Sequence, residues 1–444
     1  MRTVFLFTLL LVPLIAFAQS PPAADPAVQA IVDSVSEERI ADTMRRLEAF
    51  GTRNSLSSTT DPEHGIGAAR HWLYEQFRSC SPRLQVRYDT WHVRKQGVRI
   101  VRDTDIVNVV AVLPGTVHPD RQVLISAHYD SLALVPVPGD EHRIDWEKTA
   151  DAPIAPGVSD DGSGVAAVLE LARVMSQREF PNTLVFITFA GEEQGLIGST
   201  LYAEEARRDG AKIEGVLNND IIGTDVAGDG RRNNRAVNVY SGDPADSPSR
   251  TLARYVKSTA ERYFPAMRVN LVFRDDRFGR GGDHTPFDRA GYAAVRLTTT
   301  SEDYSHQHNP TDTFANASPA YTTLVARVNG AALASLASAP LAPVVARIER
   351  GKSGYDAVLR WSQPEPERDL AGYVVVMRAT TAPYWERAIA VGNVHEYTLP
   401  NVSIDDVVFG VRAVNRSGNE SLVAPWTITP HPNEKIETYG ETPK

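Results

Sequence analysis

Pro156-Gly157-Val158-Ser159-Asp160-Asp161-Gly162-Ser163-Gly164 sets two adjacent acids in a glycine-rich turn, and an apolar pattern at helical spacing (Val165, Val168, Leu169, Ala172) follows at once. Acids at the mouth of a helix, just beyond a strand, are where an α/β fold gathers ligands for a substrate or a metal. By itself the stretch reads more often as an ordinary turn, because Asp-Asp-Gly is common there. The residues on either side change that balance.

Helix and strand patterns alternate around the turn. Val123–Ala127, Thr183–Phe189, Ile213–Leu217, Ala236–Tyr240, Val269–Phe273 and Ala293–Leu297 read as strands. Val165–Ser176, Leu196–Arg208 and Arg250–Arg262 read as helices between them, and a long helix over Pro319–Leu336 closes the set, with Ser318 as N-cap. Upstream, residues 27–49 and 65–78 carry helical spacing, and Leu84–Val93 and Ile106–Leu113 are strand-like. The fold class is α/β: a mostly parallel mixed sheet with helices on both faces.

Past Ser338-Ala-Pro-Leu-Ala-Pro343 the character changes to short β-rich runs separated by turns. These are Val344–Ile348, Ala357–Trp361, Gly372–Met377, Trp385–Ala388, Glu396–Leu399, Val407–Val414 and Thr427–Ile428, which read as an all-β sandwich domain. Trp361, Tyr373, Leu399 and the run Val407–Asn415 make this segment resemble a fibronectin type III domain. Met1–Ala18 has Arg2, an apolar run and Ala16-Phe17-Ala18, the pattern of a secretory signal peptide. The organisation expected is therefore a signal peptide (1–18), a catalytic domain (19–338), a sandwich (343–430) and a polar tail (431–444), with a Pro/Ala linker at Pro21–Pro26. Export to the periplasm or the extracellular space is expected, with no membrane span after cleavage. A net charge of −9 with no basic patch excludes a nucleic-acid partner. The single cysteine, Cys80, excludes an internal disulfide.

Four further stretches end strands in potential ligands. Ile125-Ser126-Ala127-His128-Tyr129-Asp130 sets His and Asp two apart, on one face of a strand, so Asp130 is placed to accept a hydrogen bond from His128. That pair alone is more often a satisfied histidine and a turn. Phe186-Ile187-Thr188-Phe189-Ala190-Gly191-Glu192-Glu193 ends in paired carboxylates, and Leu217-Asn218-Asn219-Asp220 repeats the strand-then-acid arrangement. His306-Gln307-His308-Asn309-Pro310-Thr311-Asp312-Thr313 offers two histidines, either of which can face a metal.

Taken in order, His-Tyr-Asp, Ser-Asp-Asp-Gly-Ser-Gly, Ala-Gly-Glu-Glu, Asn-Asp and His-Asn-Pro-Thr-Asp-Thr resemble metallopeptidase family 28, the exported leucyl-aminopeptidase type, over roughly residues 40–335. Asn108–Gly115 and Gly282-Asp283-His284-Thr285-Pro286-Phe287 resemble it too. The resemblance implies a zinc-exopeptidase fold with two zinc ions per chain. It makes Asp160 the ligand shared by both, His128 and Asp220 the rest of one site, and Glu193 and His308 the rest of the other. It also implies that Glu192 is the general base acting on a water between the metals, that Asp130 supports His128, and that a cis peptide joins Asp160 to Asp161. The spacing to Pro310 and Asp312 selects His308 over His306, and His284 is expected to line the substrate pocket or support the site, with plain helix capping as the even alternative.

The function expected is an exported zinc aminopeptidase acting on peptides, with the sandwich domain available to contact a surface or polymer. Metallopeptidase family 20 ranks below, because the interval from Glu193 to Asp220 leaves no room for an inserted domain. The alternatives are a glutaminyl cyclase-type transferase with one zinc and a silent peptidase-like binding protein. Every ligand position is filled, which counts against both. The stretch between Asp130 and Asp160 is longer than the family pattern and is expected to wall a pocket.

Overall fold

The computed structural model describes residues 24–278, 280–346, 349–350, 356–403 and 406–426. The expected signal peptide and polar tail, and the strand at Thr427–Ile428, lie outside them.

Three helices open the described chain. The helical spacing of 27–49 is split into α1 (Pro26–Asp33) and α2 (Glu37–Glu48), because Ser36 turns its side chain to accept from the Arg39 N–H and restarts the helix. Asp25 caps α1 in the same way and Pro26 is its first residue, so the end of the expected linker is helical. After α3 (Gly65–Cys80) come β1 (Gln85–Val93), β2 (Thr104–Leu113) and β3 (His118–His128). The long stretch past Asp130 holds a small hairpin, β4 (Pro136–Val137) with β5 (Asp140–Ile144), and a one-turn helix α4 (Trp146–Ala150).

The alternation then runs α5 (Ser163–Met175), β6 (Asn182–Phe189), α6 (Ile197–Arg208), β7 (Lys212–Asn219), β8 (Ala236–Tyr240), α7 (Pro248–Tyr263) and β9 (Arg268–Val272). Next come α8 (His284–Arg289), β10 (Ala294–Thr299) and α9 (Pro319–Ala337), whose Ser318 accepts from the Tyr321 N–H as the sequence predicts.

Eight strands form one sheet in the order β1-β2-β6-β3-β7-β10-β8-β9. Its centre, β6-β3-β7-β10, is parallel throughout, while β1, β2 and β8 join antiparallel. The strand period of two sorts side chains between two cores. Val123 and Ile125 of β3 and Leu184 and Phe186 of β6 point to the larger one, under α1, α2, α3, α5, α7 and α9. Leu124, Val185 and Ile187 point to the other, where Tyr202 of α6 and Phe287 of α8 pack. Covered on both faces, β6 is buried at every position, which is why Asn182–Phe189 is nearly continuous in apolar residues.

Beyond α9 lie two sheets. One contains β11 (Val344–Val345), β12 (Glu349–Arg350), β13 (Ala357–Ser362) and β16 (Glu396–Leu399). The other is ordered β15 (Arg387–Gly392), β14 (Leu370–Ala379), β17 (Val407–Asn415), β18 (Ala424–Pro425). Leu359 and Trp361 of the first share a core with Val375, Phe409 and Val411 of the second, and the Trp361 and Tyr373 rings meet edge-on at 5.5 Å. The predicted strand at Trp385–Ala388 begins two residues later, at Arg387, where pairing with Met377 of β14 starts.

Candidate metal centre

The four central parallel strands end on one rim. His128 is the last residue of β3; Glu192 and Glu193 follow β6; Asp220 follows β7; and the loop after β10 carries His308. In an open α/β sheet the carboxyl ends of the strands are where ligands sit. Four strand ends distant in sequence converge there because of the strand order.

The turn that carries Asp160 needs its glycines. Gly157 has a left-handed φ of 50°, and a Cβ there would lie 2.6 Å from the Asp160 carbonyl oxygen. At Gly164 a Cβ would lie 2.5 Å from the Asp161 carboxylate, so only glycine lets that carboxylate accept the Gly164 N–H, at 2.9 Å. The Asp160-Asp161 peptide is cis. Asp161 is fully buried and also accepts the His128 and Ile221 N–H groups (3.2 and 3.3 Å), tying β3 and the end of β7 to the turn. Asp312 holds the turn from the other side, accepting the Ser159 and Asp160 N–H groups at 2.8 and 3.0 Å.

Asp160 stands between the two histidines. Its Oδ1 is 3.1 Å from Nε2 of His128, and its Oδ2 is 3.1 Å from Nε2 of His308. Glu193 Oε2 is 3.3 Å from His308 and Asp220 Oδ1 is 3.9 Å from His128. Two triads result, each with one ligand atom per residue within 4.8 Å: His128, Glu192 and Asp220, and Asp160, Glu193 and His308. Glu192, expected as a base, thus reaches the same space as His128 and Asp220.

The donor set fits a cation. Nε2 of His128 and Oε1 of Glu193 are buried without a hydrogen-bond partner among the described residues. Such atoms are costly unless something binds them. Imidazole with carboxylate is a donor set that zinc accepts, though it does not exclude cobalt or manganese.

The electrostatics agree. Burial alone would raise Asp160, but His128 and His308 hold its carboxyl well below the usual range. Burial likewise opposes ionisation of Asp220, yet the Arg296 guanidinium at 3.1 Å brings it down to about 2. Burial and the neighbouring Glu193 and Asp220 push Glu192 well above the ordinary carboxyl value. Burial also pushes Glu193 up to about 7. Carboxylates crowded this way repel one another until a cation joins them.

Three expectations need correcting. Asp130 does not receive His128 mainly through its carboxylate: Nδ1 of His128 is 3.1 Å from the Asp130 carbonyl oxygen, and the carboxylate is at 3.6 Å. That carboxylate turns instead to the N–H groups of Glu192 and Glu193 (3.3 and 3.2 Å) and to Ser55 Oγ (3.2 Å), so Asp130 shapes the glutamate turn. His284 lies outside the cleft; it is buried at the start of α8, with Nε2 2.6 Å from the Asp275 carbonyl oxygen, and Asp283 is the cap residue. The stretch 131–158 does not line the cleft either; its Trp146 touches a lining residue, Arg99, from behind. His306 pairs with Thr311 Oγ1 at 2.7 Å and joins neither triad, whereas His308 does.

Several site residues carried no signal of their own. Arg53 is buried and donates to the carbonyls of Leu47, Tyr129, Pro156 and Gly157. Arg296 is fully buried between Asp220 and Asp276, and Gln307 donates to Asp160 Oδ2 at 3.2 Å. Asp312 sits inside a recognisable motif but nothing in its spacing announced its grip on the turn.

Fold and rim together define an α/β protein with a histidine–carboxylate centre whose two histidines are bridged by Asp160. Residues 108–333 match peptidase family M28. A probable zinc metalloprotease of Phaeosphaeria nodorum is 36% identical over 89% of this chain and 87% of its own length. One from Pyricularia oryzae is 38% identical over 89% and 84%. The chain belongs to peptidase family M28. Among solved structures, LapB from Legionella pneumophila superposes with a TM-score of 0.55 at 19% identity, covering 71% of this chain and 76% of that one. Glutaminyl cyclase from Fimbriiglobus ruber gives 0.52 at 19%, covering 67% and 95%. At such identities the likeness is one of fold.

Proposed function

We propose that the chain is an exported aminopeptidase that holds two zinc ions and removes N-terminal residues from peptides. The observation that carries this reading is Asp160, whose two oxygens each lie 3.1 Å from a different histidine. One carboxylate so placed serves two metal positions. His128 and Asp220 complete one, and Glu193 and His308 the other. The names of the fungal relatives support zinc, and the pattern in Met1–Ala18 supports export to the periplasm or extracellular space.

Bound there, zinc supplies Lewis acidity to the scissile carbonyl and makes the attacking water more acidic. The rest falls to side chains. Glu192, raised by burial, is matched to accept the water's proton at its carboxylate and pass it to the departing amine. Asp130 fixes the backbone on which Glu192 stands. Arg296 keeps Asp220 ionised, and Asp312 keeps Asp160 aimed. In this reading residues 343–430 form a fibronectin type III-like domain available for contact with a surface or polymer.

The test is hydrolysis of a panel of aminoacyl-p-nitroanilides by wild type and Glu192→Gln. Wild type is expected to cleave the panel. The variant should keep its zinc and lose about 10²–10⁴-fold in kcat. Zinc-loaded protein that leaves every amide intact would move the reading to a cyclase, and zinc-free folded protein to a binding role.

A further inference from the structure

The cleft above the rim encloses about 320 Å³. Its floor is the histidine–carboxylate centre, and its walls carry Arg99, Arg277 and Arg280. Leu196 is the single apolar side chain among the described residues that line it. A pocket for leucine-like side chains has mostly apolar walls. This one is walled by cations.

A guanidinium in a partly buried place ordinarily faces a carboxylate. Arg99 and Arg280 pair with no carboxylate among the described residues, and Arg277 meets its carboxylates only at long range. Arg99 donates to the Glu193 carbonyl at 2.6 Å and lies over the Trp146 ring at 5.0 Å. Arg280 donates to the amide oxygen of Gln307 at 3.1 Å. Arg277 has a side chain only 13% exposed, and its nearest carboxylate, Asp276 at 3.5 Å, is already bound by Arg296 at 2.8 Å. Glu302 is at 3.9 Å, and neither Nε nor Nη1 of Arg277 makes a hydrogen bond among the described residues. Nε and Nη1 are turned inward to Asp276 and Glu302, so Arg277 offers the cleft it lines its remaining nitrogen, Nη2, and its charge, and both suit an anion from outside.

The charge count points the same way. On the two-zinc reading, on which this inference rests, four positive charges meet the four carboxylates of Asp160, Glu192, Glu193 and Asp220. Arg296 offsets Asp276 and Arg277 is offset by Glu302, so Arg99 and Arg280 are left as uncompensated positive charge on the walls. The acids of the floor are engaged, so the cleft is electropositive.

We propose that the cleft selects peptides that present a carboxylate beside the scissile bond, with Arg277 as its main partner, assisted by Arg99 and Arg280. That carboxylate is an acidic side chain or the free C-terminus of a short peptide; both offer the same planar acceptor to a guanidinium. A neutral isostere leaves the cations of the walls without an anionic partner.

The experiment uses the full-length, zinc-loaded Glu192→Gln protein, which binds without turnover, and calorimetry with three matched pairs. Glu-Ala-NH2 against Gln-Ala-NH2 tests an acidic first residue. Ala-Glu-NH2 against Ala-Gln-NH2 tests the second residue, and Ala-Gln against Ala-Gln-NH2 tests the free C-terminus. In at least one pair the carboxylate member is expected to bind about tenfold tighter or better, which also identifies its source. Adding Arg277→Gln should bring that ratio close to one with zinc content unchanged. Arg280→Gln, at an exposed position that folding tolerates, should reduce it about threefold or more. Ratios within about twofold of one in all three pairs, or a ratio that survives both arginine substitutions, would overturn the proposal. Failure of the peptidase reading shows separately, as wild-type protein that leaves all the peptides uncut.

Discussion

His308 takes a left-handed backbone, φ 53°, uncommon for a residue other than glycine, and this conformation turns the loop after β10 so that its imidazole meets Asp160 and Glu193. Burial works against the charged ring, but Glu193 and Asp160 outweigh it and raise His308 to about 9. Glu193 is itself pushed up to about 7 by burial. Both must shed their protons to bind a cation, so protons compete with metal below those values. Zinc affinity therefore rises with pH. Between pH 7 and 8 the His308 proton is displaced, and the neighbouring carboxylates raise the ligand His128 well above its ordinary value too, so the gain is expected to be about tenfold per unit or more; between 6 and 7, where Glu193 joins, it is steeper. Chelator-buffered zinc titrations at pH 6, 7 and 8 check this, and an affinity flat over that range would show that neither group is a ligand.

At the scale of elements, Arg53 does for the site what no strand end can. From a short connection after α2 it reaches the C-terminal carbonyl of α2 at Leu47 (2.9 Å), the end of β3 at Tyr129 (2.8 Å) and the metal-bearing turn at Gly157 (2.8 Å). Arginine's fork serves four carbonyls here and a lysine ammonium has three N–H groups on one nitrogen, so Arg53→Lys leaves at least one buried carbonyl unmatched. The expected cost is about 1–3 kcal/mol in urea unfolding, accompanied by weaker zinc binding. A loss below about 1 kcal/mol would mean that water replaces the fork. Arg53 also marks the limit of what the sequence discloses. The strand ends were legible because a buried parallel strand is a short apolar run that stops abruptly, and His128, Glu193 and Asp220 stand at those stops. Asp160 and His308 were legible through glycine and proline turns of fixed spacing. Arg53, Arg296 and Asp312 were not, because most of their partners are 76 to 153 residues away and mostly backbone groups, which leave no residue-type signature. The role of the Asp130 carboxylate was misread for a related reason: period-two logic holds only inside a strand, and β3 ends at His128.

At the scale of the molecule, the two sheets beyond α9 are attached far from the rim. Glu367, in the turn before β14, pairs with His118 (3.4 Å) and Arg121 (3.5 Å), at the start of the strand that ends in His128. Eleven residues of strand put roughly 33 Å between those ends. Asp246 joins Arg254 of α7 (3.3 Å) to Arg378 of β14 (2.7 Å), and Asn419 reaches Asp25 before α1 (2.7 Å). This placement leaves the cleft open, and among the described residues the C-terminal sheets neither cap it nor supply its walls. The catalytic rim stands on the α/β sheet alone, with Asp160 at its centre. The most direct test of that claim is the zinc content of folded protein, measured per chain after gel filtration, for wild type and for His128→Ala, His308→Ala and Asp160→Ala. Two ions in wild type, one in each histidine variant and none held tightly in Asp160→Ala are expected. One ion in wild type that Asp160→Ala retains would contradict a shared carboxylate, and with it the two-metal account.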